Sequence, residues 1–140
     1  MTITTGPIAR PPKVCLYGTE GVGKTTFVAG NKGLGLAGAP APIFLDTEGG
    51  SDYFDVHRVQ PASWAELIQW VDWLYAGDHQ YQTAVLDTAS AAERMAQEHV
   101  CQVGNVRSIE DFGYGKGFTK TAEAFASLLA RLDGLVQRGL

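Results

Sequence analysis

One short segment constrains this chain more than any other part of it. Residues 18–25 read GTEGVGKT and match the pattern G-x-x-x-x-G-K-[ST] in full. Glycines at these positions let the backbone fold around a chain of phosphates, with successive N–H groups pointing inward. Lys24 supplies a positive charge for the β- and γ-phosphates, and the Thr25 hydroxyl is a suitable Mg²⁺ ligand. The motif predicts a nucleotide-phosphate site made of Gly18, Thr19, Glu20, Gly21, Val22, Gly23, Lys24, Thr25 and Thr26.

The sequence around this motif predicts alternating strands and helices. The apolar run at residues 14–17 predicts a buried strand before the loop, and residues 25–28 predict the start of a helix after it. Apolar runs at residues 43–45 and 83–86 predict two further buried strands, and residues 56–59 predict a weaker one. Short buried strands that alternate with helices indicate an α/β fold with a mostly parallel sheet.

Three longer helices follow from capping residues and apolar spacing. Ser63 and Glu66 form a capping-box pattern for a helix that ends at Gly77, and Ser90 and Glu93 form a second one. The last helix is marked by an apolar stripe and ends at Gly139; the stripe consists of Phe118, Ala122, Phe125, Leu129, Leu132 and Val136.

Composition limits the class of protein. The chain has 140 residues, with 15 acidic and 11 basic side chains and a net charge of −4. This length predicts one domain at residues 13–140 after a flexible, polar leader at residues 1–12. There is no apolar run near the roughly 20 residues of a membrane span, and no signal-peptide stretch. Cys15 and Cys101 lack metal-ligand spacing. We expect a cytoplasmic protein without a membrane partner, whose acidity disfavours a surface that binds nucleic acid throughout.

Two carboxylates are candidates for chemistry at the phosphates. Asp87 ends a buried strand, as expected of an aspartate that holds the metal and its water, although an aspartate in the turn before a helix is an alternative. Thr88 follows it, so a water-activating carboxylate has to come from elsewhere in the chain. Glu48, in the segment DTEGG after another strand, is the candidate general base. A solvated acidic turn is the alternative interpretation of Glu48.

The order of these segments resembles a known group. KVCLYGTEGVGKTT, FLDTEGG and AVLDT resemble the RecA-type core of P-loop ATPases, and IEDFGYGKGF is similar to phage and prophage AAA-like ATP-binding proteins linked to DNA recombination and single-strand annealing. The resemblance covers about residues 13–139. It implies a three-layer P-loop NTPase fold, ATP and Mg²⁺ as cofactors, Lys24 and Glu48 as catalytic residues, Thr25 and Asp87 at the metal, and a bacterial host or phage-infected cell.

The resemblance also implies a strand that this sequence does not contain. In this fold class a strand follows the long helix, inserts between the strands of the phosphate loop and of Asp87, and carries a polar sensor residue. Here Leu140 comes one residue after the predicted helix end. We therefore expect the domain to be truncated at its C-terminal end, with hydrolysis and DNA binding belonging to the complete form.

The segment at residues 104–117 has two interpretations. Its aromatic and basic residues suit single-stranded DNA, through base stacking and charge, and Lys116 also suits the nucleotide of a neighbour in a homo-oligomer. The alternative is a surface loop in which Phe112 fills the core while Glu110 and Asp111 cancel the charge. The residues concerned are Arg107, Phe112, Tyr114, Lys116 and Lys120.

Two other function classes share the phosphate loop. A small-molecule kinase usually adds an arginine-rich lid, whereas the four arginines after Asp87 are dispersed here. A non-catalytic, ATP-dependent adaptor or loader uses the nucleotide only to switch a partner surface. The leading prediction from the sequence is a Mg·ATP-binding ATPase domain that supports phage-type DNA recombination or annealing.

Overall fold

The centre of the molecule is a three-stranded parallel sheet. The computed structural model describes residues 3–140, so Met1 and Thr2 of the predicted leader lie outside the described residues. Strands β1 (Pro42–Asp46), β2 (His57–Val59) and β3 (Thr83–Asp87) lie in the order β2-β1-β3. The predictions of these strands and of a parallel α/β fold are therefore confirmed. The central strand β1 is buried from Ile43 to Asp46 because it has a neighbour on both sides.

Residues 3–140 contain four α-helices. They are α1 (Lys24–Ala29), α2 (Trp64–Ala76), α3 (Ala89–Gly104) and α4 (Lys116–Arg138), with 3₁₀ turns at Lys32–Leu34 and Ile109–Phe112. Of these helices, α2, α3 and α4 share the hydrophobic core with β1. Ser63 caps α2 by accepting a hydrogen bond from the Glu66 N–H, and Gly77 follows its last residue, as predicted. Among the described residues, no helix is long and apolar enough to cross a membrane.

The start of α3 differs from the prediction. Thr88, rather than Ser90, is the N-cap, and its hydroxyl accepts a hydrogen bond from the Ala91 N–H. Both residues are good caps, but Thr88 follows the last residue of β3 directly, so the chain turns into the helix as soon as the strand ends. This early turn places the first residue of α3 at the carboxyl end of the sheet.

The buried residues of α4 lie at one side of its apolar stripe, and Phe125 and Leu132 of that stripe pack against the core. Gly117, Thr121, Leu128 and Leu135 are the buried residues, whereas Phe118 remains 57% exposed. Because α4 packs against both α2 and α3, its face toward the core passes through small residues that admit close contact. Apolar periodicity alone does not distinguish this face from the apolar stripe beside it.

The predicted strand at residues 14–17 is wrong for this structure. These residues form no strand, and Val14 and Tyr17 are 71% and 93% exposed. Among residues 3–140 the sheet ends at β3, and no strand lies between β3 and this segment. An apolar run becomes a buried strand only where a neighbour satisfies its backbone groups, and that neighbour is lacking here. The predicted truncation at the C-terminal end stays a prediction.

Candidate functional site

The phosphate-loop motif forms an exposed turn that leads into α1. Gly23, immediately before α1, has a φ of 101°, and Gly21 has a φ of 75°, both in the left-handed region that favours glycine. A Cβ added to Gly18 would lie 3.0 Å from Val22 Cγ1, closer than side chains normally pack. The glycines of the motif are thus required by the conformation of the loop. Residues 18–22 are all exposed to solvent.

Lys24 folds back over this loop. Its Nζ donates hydrogen bonds to the carbonyl oxygens of Gly18 and Thr19, at 2.9 and 3.0 Å. Two neutral carbonyls hold the ammonium group without neutralising its charge. The structure therefore presents one positive charge at the centre of the turn, where an anion can reach it.

Thr25 and Asp87 are in direct contact although they are distant in the sequence. The Thr25 hydroxyl donates a 2.8 Å hydrogen bond to Asp87 Oδ2. A hydroxyl and a carboxylate are both oxygen ligands of the kind Mg²⁺ prefers, and water and phosphate usually complete its octahedral shell. Among the described residues, no group of three or more His, Cys, Asp or Glu side chains is able to hold a metal. The hydroxyl and the carboxylate of this pair are of the chemical type that a cation shared with a bound phosphate would need.

Asp46 organises the loop that carries Glu48. One carboxylate oxygen accepts hydrogen bonds from the backbone N–H groups of Glu48, Gly49 and Gly50, and the other accepts from both the N–H and the hydroxyl of Ser51. Burial of the Asp46 carboxyl opposes its ionisation, but the hydrogen bonds, mainly from Ser51, outweigh this effect and lower its pKa. The loop after β1 is thus wrapped around a buried negative charge.

Two threonines join the carboxyl ends of β1 and β3. The Thr47 hydroxyl accepts a 2.9 Å hydrogen bond from the Thr88 N–H and donates one of the same length to the Thr88 carbonyl. The Thr47 N–H donates to the Asp87 carbonyl at 2.8 Å. Asp46 and Asp87 are register partners, so each strand ends in the same Asp-Thr pair at the same level.

Glu48 lies at this edge, with its side chain 43% exposed. Its Oε2 accepts a 3.1 Å hydrogen bond from the Thr88 hydroxyl, and Arg94 Nη2 is 3.9 Å away. Gly50 lies beside Asp87, the candidate metal ligand, since a Cβ added to Gly50 would be 3.8 Å from Asp87 Oδ2. The segment DTEGG therefore places Gly50 beside the Asp87 carboxylate and the Glu48 carboxylate beside Thr88.

The structure brings three of the predicted site residues, Thr25, Glu48 and Asp87, to one edge of the sheet. Thr25 contacts Asp87 directly, and Glu48 is linked to the residue after Asp87. Asp46, Thr47 and Thr88 also belong to this edge, although the sequence predicts no role for them. The repeated Leu-Asp-Thr at residues 45–47 and 86–88 is a signal of their position, because equal strand ends meet in a parallel sheet.

The segment at residues 104–117 closes a hairpin between α3 and α4. Phe112 is half-buried against Gly104, where a Cβ would overlap its ring, and Gly117 has no room for a side chain beside Ile109. Phe112 thus has the packing role that the alternative interpretation gave it. Tyr114 is instead fully exposed, at the centre of a turn in which it and both neighbouring glycines have positive φ.

These features define a class of protein. A parallel α/β sheet, a phosphate loop before a helix, and a strand-end aspartate in contact with the threonine of that loop are the parts of a P-loop nucleotide-binding domain. A family model described as an AAA domain matches residues 10–138, and the chain belongs to this family. The prediction of an AAA-like, nucleotide-binding P-loop ATPase domain is therefore confirmed at that level. Searches of curated proteins and of solved structures found no match.

Proposed function

We propose that this domain binds Mg·ATP at the edge formed by the phosphate loop, β1 and β3, and that its complete form hydrolyses the bond to the terminal phosphate. The observation that carries the proposal is the 2.8 Å hydrogen bond between Thr25 and Asp87. It joins the end of the motif to a strand-end carboxylate 62 residues away, and a chance match to the motif has no reason to make such a contact.

Each residue of the site has a distinct role in this proposal. The backbone of residues 18–26 surrounds the phosphates, and Lys24 exchanges its two carbonyl partners for the β- and γ-phosphate oxygens. Thr25 and Asp87 hold Mg²⁺, which when bound neutralises charge on the phosphates. Glu48 accepts a proton from the attacking water. The exposure of Glu48 supports this role, because its carboxylate is open to water in the described structure.

Nucleotide binding is tested by replacing the lysine of the loop. Lys24→Ala removes the positive charge, so we expect ATP affinity to fall by about a hundredfold or more, which corresponds to roughly 3 kcal/mol. Lys32→Ala is the matched control, because Lys32 is an exposed lysine just after α1. Equilibrium titration with a fluorescent ATP analogue measures both variants. Equal affinity of wild type and Lys24→Ala would refute the proposed phosphate site.

Hydrolysis is tested separately through Glu48. Glu48→Gln retains the size and polarity of the side chain but removes its basicity, so we expect ATP binding within about threefold of wild type and turnover slower by about a hundredfold. Phosphate release at saturating ATP is the measurement. Wild-type turnover by this variant assigns the base to another residue. Transfer of labelled phosphate to a small molecule indicates a kinase, and binding without turnover in the wild type indicates an adaptor.

We further propose that the domain acts on single-stranded DNA in phage-type recombination or annealing. Tyr114 supports this role, because it is fully exposed and lies two residues before the exposed Lys116 in the sequence, and aromatic residues interleaved with basic ones suit single-stranded DNA. Tyr114→Ala should weaken binding of a labelled oligothymidine by about tenfold or more, consistent with roughly 1–3 kcal/mol per stacked base. Tyr53→Ala is the control, since Tyr53 is 97% exposed on another loop. Equal binding by both variants contradicts the role of Tyr114.

The proposal also includes a homo-oligomer with nucleotide at the subunit interface. The phosphate loop and Glu48 both face solvent, so a neighbouring copy is able to cover the phosphates and exclude bulk water. Sedimentation velocity with and without Mg·ATP tests this: we expect a larger species only with nucleotide. A sedimentation coefficient that nucleotide does not change would refute it. The proposed reaction implies the cytoplasm of a bacterial or phage-infected cell, where ATP and DNA are both present.

A further inference from the structure

The Thr88 hydroxyl has a single proton, and its surroundings determine where that proton points. Its oxygen accepts the 3.2 Å hydrogen bond from the Ala91 N–H that caps α3. Capping uses an acceptor lone pair and leaves the proton available. The hydrogen-bond acceptor for that proton is Glu48 Oε2, at 3.1 Å. The helix cap and the hydrogen bond to Glu48 are therefore made by one hydroxyl at the same time.

The position of Thr88 is itself set by its backbone. Its N–H and its carbonyl are both bonded to the Thr47 hydroxyl, at 2.9 Å each. Thr47 is the residue before Glu48, so Thr88 and Glu48 are attached to the same point at the end of β1. This arrangement leaves the Thr88 hydroxyl little freedom relative to the backbone of Glu48.

The other neighbour of the Glu48 carboxylate is a weaker anchor. Arg94 Nη2 is 3.9 Å from Oε2, and the Arg94 side chain is 64% exposed. Exposed ion pairs of this length contribute little, because water and salt screen them and two flexible side chains have to be ordered. The orientation of the carboxylate therefore depends mainly on the direct 3.1 Å hydrogen bond from Thr88.

We infer that Thr88 is a positioning residue that orients Glu48 toward the phosphate site by donating the proton of its α3-capping hydroxyl. The inference rests on the proposed role of Glu48 as general base. A carboxylate in a loop with Gly49 and Gly50 beside it has several accessible rotamers, and a general base acts only when it is within hydrogen-bond reach of the water. Thr88 selects one of these rotamers.

The direct test is a pair of substitutions at Thr88. Thr88→Val removes the hydroxyl at nearly constant shape, and we expect kcat for ATP hydrolysis to fall about tenfold while KM changes less than about threefold. Thr88→Ser keeps the proton and should restore kcat to within about threefold of wild type. A Thr88→Val enzyme that is folded by circular dichroism and has wild-type kcat would overturn the inference.

Two controls separate positioning from general stability. Ser63→Ala removes the corresponding cap of α2, and should lower the urea midpoint as Thr88→Val does but leave kcat unchanged. Arg94→Gln should change kcat by less than about twofold, because its pair with Glu48 is exposed. Loss of kcat in Ser63→Ala, or a larger loss in Arg94→Gln than in Thr88→Val, contradicts the assignment to Thr88.

A double substitution tests whether the effect of Thr88 on hydrolysis depends on Glu48. In the Glu48→Gln background, Thr88→Val should produce no further loss of kcat, because the base that it orients is gone. A second tenfold loss would mean that Thr88 acts by another route, and the inference would be wrong. A wrong assignment of the general base would give a different result, because the single variant Glu48→Gln would hydrolyse ATP at the wild-type rate.

Discussion

The phosphate loop and the carboxyl ends of β1 and β3 form one candidate site, but they are built differently. The loop is exposed, and apart from the bond from Thr25 to Asp87 its hydrogen bonds are local, as between Lys24 and the carbonyls of Gly18 and Thr19. The strand ends are held by hydrogen bonds between distant segments, around the buried Asp46. The conformation of the phosphate loop therefore depends mainly on neighbouring residues. The positions of the strand-end carboxylates depend on hydrogen bonds between segments that are distant in the sequence.

The largest expected effect on stability is at Asp46. Asp46→Asn retains the size of the side chain but replaces one acceptor oxygen by a donor that faces N–H groups. Each unsatisfied buried polar group costs roughly 1–3 kcal/mol, so we expect a loss of about 3 kcal/mol or more in the free energy of unfolding. Urea denaturation measures it. Asp55→Asn, at an exposed position, is the control and should change stability by less than about 0.5 kcal/mol.

Acid should weaken the same region. The pKa of Asp46 is lower in the folded chain than the ordinary value of about 3.9, so its ionised form stabilises the fold at pH values above that. This contribution is lost as the pH falls from the unfolded-state pKa through the folded one. We expect the urea midpoint of the wild type to drop in this range more steeply than that of Asp46→Asn. Parallel acid profiles would show that Asp46 does not cause the loss.

A smaller effect is expected at Thr47. Thr47→Val removes the hydroxyl that bonds both backbone groups of Thr88, so we expect a loss of about 1–2 kcal/mol in the free energy of unfolding. Thr47→Ser keeps the hydroxyl and should lose clearly less. Urea denaturation of both variants is the measurement. Equal losses would show that the methyl group, rather than the hydroxyl, stabilises this junction.

The smallest effect is expected beside the phosphate loop. Tyr17 is 93% exposed, so Tyr17→Ser should change the free energy of unfolding by less than about 0.5 kcal/mol. Thermal and urea unfolding of this variant test the contrast with Asp46. A loss comparable to that of Asp46→Asn would mean that the segment before the loop is buried in solution, and the difference between the two regions would disappear.

The helices and strands that the sequence predicts correctly are those marked by residues within or next to the element. The parallel strands after residue 41 were predicted because their apolar runs are short and end in polar residues, and α2 because Ser63 and Gly77 delimit it. The strand at residues 14–17 was predicted from the same kind of apolar run, but the partner that a strand requires is not part of the described residues. An apolar run indicates a tendency to form a strand, but the strand forms only where a neighbouring strand pairs with it.

The face of α4 illustrates a second limit. The apolar stripe that predicts α4 includes Phe118 and Leu129, yet both are about half exposed or more, whereas Phe125 and Leu132 of the same stripe pack against the core. Periodicity defines an apolar side of a helix to within about one residue step, or roughly 100°. Which side of α4 faces the core depends on how the helix packs against α2 and α3. Gly117 and Thr121 are buried at this side.

The sequence by itself determined that this chain has a phosphate loop, an α/β fold and two strand-end aspartates, because each of these is encoded by neighbouring residues. Only the tertiary structure decided that Thr25 contacts Asp87 and that Thr47 and Thr88 join two strand ends. These partners are 62 and 41 residues apart, and the register of a parallel sheet brings them together. Contacts over such distances depend on packing, which no local pattern records.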